Sequence, residues 1–314
     1  MKGLKKIALC SAVALAPFAA NADLKALDDS AMGSVTGQAG VTIDLSANVS
    51  IGEIAYEDQG FLALSNVRLA GADLIDPATG GFNAASKLDD IRLTIDVAGD
   101  ATGSDLGTAA LGATYLTDVS AAGFDVQNLN ETAQDVSDGD LVISLRSQSG
   151  GAVDYGLFIG EVSLNKSANS ADIGSFSTSG DKGTVLVSNL FVAGAIGPID
   201  IVVQEESNSM NINAFFSAQG NLNLPFMGTS LDFELHNRRG NSVVNASAAG
   251  VSFAHAQVDV GTAVNAAGDD ALRVTVQDFS GDLDLLNVSP GAVSIGNIYM
   301  TDLAVTADMT IYGH

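Results

Sequence analysis

The sequence predicts an all-β fold: an elongated antiparallel sheet or sandwich, or a solenoid-like stack, of long alternating strands behind a short N-terminal helix. Three observations carry this. Apolar and polar residues alternate in segment after segment, the period of a strand with one buried and one wet face. The 34 glycines supply frequent turns, as many short connections between strands require. There is no tryptophan and there are only five tyrosines, so the core is built from small and β-branched side chains.

Taken in order, Lys2, Lys5 and Lys6 precede the apolar run Ile7 to Ala16, and Ala20-Asn21-Ala22 is a small-x-small site. This is the layout of an export signal over residues 1–22, with the mature chain beginning at Asp23. Leu24 to Met32 reads as two helical turns, N-capped by Asp23 and stopped by Gly33. Val41, Ile43, Leu45, Ala47 and Val49 then alternate with Thr42, Asp44, Ser46 and Asn48. The same alternation marks 91–97, 141–145 and 272–276, and further strands are expected at 61–69, 152–164, 184–192, 195–204, 210–219, 229–236, 250–260 and 292–312. Residues 80–88 are a second helical candidate. The polar, glycine- and serine-rich stretch 165–183 lacks alternation. It either links a β unit at 23–164 to another at 184–314, or forms one long exposed hairpin loop. Leu64 to Leu69, Val187 to Val192 and Ile295 to Met300 share an apolar-small-Asn-apolar pattern around Asn66, Asn189 and Asn297. Their spacing exceeds any coil period of a solenoid, so they mark either a common bulge or strand entry or duplicated β units.

Charge excludes several partners. The whole chain carries −24; without residues 1–22 it has 10 basic against 37 acidic residues, a net charge of −27. Such acidity disfavours nucleic acid and anionic lipid surfaces and favours cations. The one cysteine, Cys10, lies inside the signal, so the mature chain has no disulfide, thiolate metal site or cysteine nucleophile. The residues before Cys10 also lack the small-residue signature of lipid attachment.

No constellation names a reaction. Asp135, Asp138 and Asp140 surround Gly139 and offer clustered oxygen donors for calcium; Asp100, Asp105, Asp269 and Asp270 flank other glycines. Asp and Gly are equally the ordinary residues of turns, and no EF-hand loop is present. Glu205-Glu206 and Asp89-Asp90 are sequence neighbours, so on a strand they point to opposite faces and do not pair for glycosidase work. His236, His255 and His314 stand apart, Gly-x-Ser-x-Gly is absent, and Gly194-Ala-Ile-Gly197 runs into Pro198, which suits a turn.

The run Leu24 to Leu45, with Val35-Thr-Gly-Gln-Ala-Gly-Val41 at its centre, resembles the mature start of the Fil-type pilus-system proteins of Gram-negative bacteria. The resemblance continues through Ile51 to Tyr56, Leu64 to Leu69 and Leu88 to Val97, covering about residues 1–100. It implies a domain without assigned function, no catalytic residues and a link to pili. In that light Gly33, Gly37, Gln38 and Gly40 form either a helix cap and turn or an assembly and docking element.

The expectation is therefore an exported, non-enzymatic protein of the cell surface: a structural, adhesive or accessory component of a pilus-like system. Its partners would be other surface proteins or further copies of itself. Two alternatives stand beside it: a secreted or periplasmic binding module, calcium-dependent if the Asp135 loop binds, and an outer-membrane β-barrel.

Overall fold

The computed structural model describes residues 40–76, 79–97, 116–117, 139–204, 207–240, 245–246 and 251–313. The expected signal, the helix at 24–32, Gly33, Gly37, Gln38, Asp100, Asp105, Asp135, Asp138, Glu205, Glu206 and His314 lie outside them.

The described residues run up and down one wide antiparallel sheet in eight passes. The first is β1 (Val41–Ala47) with β2 (Val49–Glu57); the second is β3 (Gly60–Ala70) with β4 (Leu88–Val97). A two-residue strand, β5 (Leu116–Thr117), follows outside the passes. The third pass is β6 (Leu141–Ser147) with β7 (Val153–Lys166), the fourth β8 (Thr184–Gln204) and the fifth β9 (Ser209–Leu224). The sixth begins with β10 (Thr229–His236), detours through β11 (Asn245–Ala246), which pairs with β5, and resumes as β12 (Ala254–Val264). The seventh is β13 (Asp270–Pro290), and the eighth is β14 (Gly296–Ala304) with β15 (Ala307–Ile311). Each pass pairs antiparallel with the next, and among the described residues the first and last pair on one side only. Residues 165–183 connect neighbours, since Leu164 faces Thr184 across the β7–β8 pair.

The pairing lines side chains into rows across the sheet. Val41 pairs with Ile95, then Ile143, Ile201, Ile212, Val258 and Val276, ending at Ala307. A second apolar row runs Val49, Leu69, Leu157, Val192, Gly220, Phe233, Leu285, Ile298. One residue along from the first, Thr42, Thr94, Ser144, Asp200, Asn213, Gln257 and Asp278 make a polar row on the opposite face.

Burial inverts the usual sense of this alternation. Val41 is 53% and Val97 60% exposed, whereas Ser144 is 6%, Asp200 1% and Asn213 2% exposed. The polar face is the covered one. Residues 71–76 and 79–87 fold across it: Leu74 sits where a Cβ on Gly156 would reach, and Phe82 meets Phe158 edge-on with ring centroids 5.0 Å apart. Phe253 packs over Gly197 and Phe215 on the same face. The apolar core is correspondingly small, and one of its clusters, Phe61, Ala63 and Phe176, lies under the 165–183 segment. There Glu53 anchors the loop by accepting from the backbone N–H of Gly174 and of Phe176, the latter at 2.9 Å.

Two expectations are corrected. Residues 80–88 are not helical but turns, a bridge and the start of β4. Asn83 uses its side chain on Asp73 and on the Ala85 N–H, which competes with helical bonding. Gly197-Pro198 is not a turn: β8 runs straight through it with a bulge between Ile196 and Ile199. Proline lacks the ladder donor, and a bulge is where a sheet tolerates that.

The Asn66 and Asn189 similarity has a structural cause. Both residues sit mid-strand in the left-handed region, at φ 54° and 49°. The register passes over Gly52, Asn66, Gly160 and Asn189 in successive passes, so they form one transverse crease. Asn287 repeats the conformation at φ 53°, and Asn297 accepts its backbone N–H. Asparagine is the non-glycine residue best suited to that backbone.

Candidate functional site

The covered polar face concentrates the titratable groups of the described chain, in three knots. In the first, the Arg146 guanidinium of β6 meets Asp200 of β8 at 2.6 Å. Ser144 Oγ donates to the same carboxylate at 2.8 Å, and Arg146 also donates to the Ile199 carbonyl. In the second, His255 Nδ1 lies 2.7 Å from Asp278 Oδ2, its Nε2 contacts Asn213 Oδ1, and its ring stacks on Phe215 at 4.7 Å. In the third, His236, Asp282, Asp284 and Arg239 assemble where the chain leaves β10.

The third knot is the densest. The Arg239 guanidinium forks onto Asp284 at 2.6 and 3.0 Å and lies over the Tyr299 ring. Asp282, fully buried, accepts the backbone N–H of Arg239 at 2.7 Å and of Asp302 at 3.1 Å. It thereby ties the 237–240 segment, β13 and β14 together. The Arg238 backbone N–H donates to His236 Nδ1 at 3.2 Å, which leaves Nε2 facing Asp284 Oδ2 at 3.3 Å. Strand alternation makes this possible: Asp282 and Asp284 share a face of β13, with Leu283 and Leu285 on the other.

Glu234, His236 and Asp284 present ligand atoms within 4.8 Å of one another. They do not suit a cation as they stand. Arg238 holds Glu234 at 2.5 Å and Arg239 takes both oxygens of Asp284, so an ion would have to displace two guanidinium groups. A cavity of about 270 Å³ borders the knot, lined by His236, Glu234, Ser217 and Ser252 among others. Asn237 is buried beside it with both side-chain polar atoms unpaired, room and polarity suited to an ordered water.

These arrangements hold strands together. The Asp278–His255 pair has the spacing of a catalytic dyad, but Asn213 occupies the second ring nitrogen where a nucleophile would stand. The ion pairs span 54 and 45 residues in sequence, so only the strand pairing reveals them. The Asp282-Leu-Asp-Leu285 alternation was the one sequence signal available.

Of the residues singled out from sequence, Asp140 is buried at the foot of β6, and Gly40 leads into β1. A Cβ on Gly40 would meet the Asp96 carboxylate, which would have to swing aside. Asp269 and Asp270 close the β12–β13 hairpin, where the Asn265 side chain accepts the N–H groups of Ala267 and Asp269, both at 2.9 Å. That is turn chemistry. Asp89 and Asp90 begin β4; Asp90 accepts from Ser147 and Ser149 and pins the β6–β7 turn.

Residues 1–99 match the model of a family of unknown function, DUF6160. No curated protein and no solved structure matches the chain. The matched stretch contains the first two passes of the sheet.

Proposed function

We propose that the chain is an exported, non-enzymatic protein of the bacterial cell surface, serving a pilus-like system as a structural or accessory component. The observation that carries this reading is the state of the buried polar groups. Among the described residues, both buried histidines are engaged at both ring nitrogens, and the buried carboxylates Asp200, Asp282 and Asp284 are bound by arginine or backbone donors. They tie one pass to another and present no reactive group to a substrate. The leader pattern at 1–22 and the Fil-like run from Leu24 support the address and the system.

The test is fractionation with intact-mass measurement on the native host. The mature chain starting at Asp23 should appear in sheared surface material or in the cell envelope. Recovery in the cytoplasm with Lys2 to Lys6 retained would overturn the reading.

A further inference from the structure

We propose that the apolar face of the sheet is lipid-facing, and that the eight passes cross the hydrocarbon of a bilayer with the polar face turned inward. This rests on the exported address above and adds the partner that covers the sheet.

Polarity carries the inference. Between Met210 and Leu222 the apolar-face positions of β9 bear no charge, hydroxyl or amide. The alternate positions, Asn211, Asn213, Phe215, Ser217, Gln219 and Asn221, are polar but for one. The Arg146–Asp200 and Arg239–Asp284 pairs lie on that polar face, as do both buried histidines. A water-exposed sheet hides its aliphatic side; this one hides its amides and carboxylates and leaves whole rows of Ile and Val uncovered. Soluble monomers rarely expose apolar patches beyond a few hundred Å². Polar-in and apolar-out alternation on an even number of antiparallel passes is what a spanning sheet requires.

Dimensions identify the occupant. Met210 to Leu222 is about 40 Å of strand at roughly 3.3 Å per residue. At a tilt of about 35–45° this stands roughly 30 Å tall, the thickness of a bilayer's hydrocarbon. The strand ends two residues on, at Leu224, before the turn at Pro225–Met227. Within hydrocarbon no open edge is tolerated, so the first and eighth passes must pair with each other.

The mature chain has no tryptophan, which makes single-tryptophan variants clean depth probes. The chain from Asp23 carrying Ile201→Trp, on the apolar face, or Thr79→Trp, on the covering segment, is folded with dilauroylphosphatidylcholine vesicles containing lipid brominated mid-chain. We expect co-flotation with the vesicles and at least twofold stronger quenching at position 201 than at 79. A third variant, Ile201→Arg, should lower the floated fraction at least about tenfold, because a charge on the lipid face is penalised at mid-depth. Equal quenching at both positions, or protein left in the soluble fraction, overturns the proposal. So does a soluble dimer seen by sedimentation, which would put a second copy on this face. Soluble protein processed at Asp23 refutes the membrane seat alone; cytoplasmic protein retaining Lys2 to Lys6 refutes the exported address instead.

Discussion

Asn66 and Gly160 face each other at the crease between β3 and β7: the asparagine takes φ 54°, and a Cβ on the glycine would come within 3.1 Å of the Asn66 Cβ. The left-handed residue bends one strand, and the missing side chain opposite makes room for it. Just beyond this pairing Ser65 Oγ donates to the Glu53 carboxylate, which in turn holds the 165–183 segment.

Substitution should separate the two roles. Asn66→Gly keeps the backbone accessible and should leave stability within about 0.5 kcal/mol, whereas Asn66→Val should cost about 1–2 kcal/mol for a β-branched residue held at positive φ. Gly160→Val adds bulk against Asn66 and should cost more. Urea unfolding midpoints at matched lipid or detergent concentration check the order.

Removing Arg146 leaves the Asp200 carboxylate, 1% exposed, without its cation. Arg146→Ala should destabilise by about 3–5 kcal/mol, the usual cost of an uncompensated buried charge. The double variant Arg146→Met with Asp200→Leu should recover most of that loss. A double-mutant cycle giving independent, additive effects would show that the two residues do not act as a pair.

The exposed counterparts should behave differently. Arg92 forks onto Asp44 at 2.8 and 3.0 Å, and Arg273 onto Asp308 at 3.0 and 2.8 Å, one pair at each side of the sheet. Both stand in water-accessible positions, so Asp44→Asn or Asp308→Asn should each cost under about 1 kcal/mol, and less as salt is added. A loss as large as that at Arg146 would show that these edges are covered.

The closing edges can be trapped chemically, because residues 23–314 contain no cysteine. With Thr42→Cys in β1 and Thr310→Cys in β15, a bis-maleimide spanning about 10 Å should give a faster-migrating monomer on a denaturing gel. A ladder of multimers would mean that the first pass of one copy pairs with the last pass of another, the heterologous route to a filament.

Much of the strand content was legible in the sequence. Period-two alternation at 41–49 falls on β1 and the first residue of β2, that at 91–97, 141–145 and 272–276 falls on β4, β6 and β13, and 229–236 coincides with β10. Alternation is a local property of consecutive residues, so no partner strand is needed to see it. Other features were hidden. The Gly197-Pro198 bulge read as a turn because the same residues serve both. His236 and His255 read as isolated, since their carboxylate partners lie 48 and 23 residues away.

The sequence by itself determined that each strand has an apolar and a polar side, that the strands are long, and that residues 23–314 are acidic and without thiols. It did not determine which side faces inward. Alternation is symmetric in that respect: the same pattern builds a soluble sheet with an aliphatic core or a sheet with its amides enclosed. Only the tertiary structure decided, by laying Leu74, Phe82 and Phe253 over the polar face and leaving the Val41–Ile95–Ile143 row uncovered. The physical reason is that arginine, aspartate and histidine from distant strands satisfy one another on the enclosed face, which makes a polar interior affordable, while the uncovered rows are left to whatever apolar medium meets them.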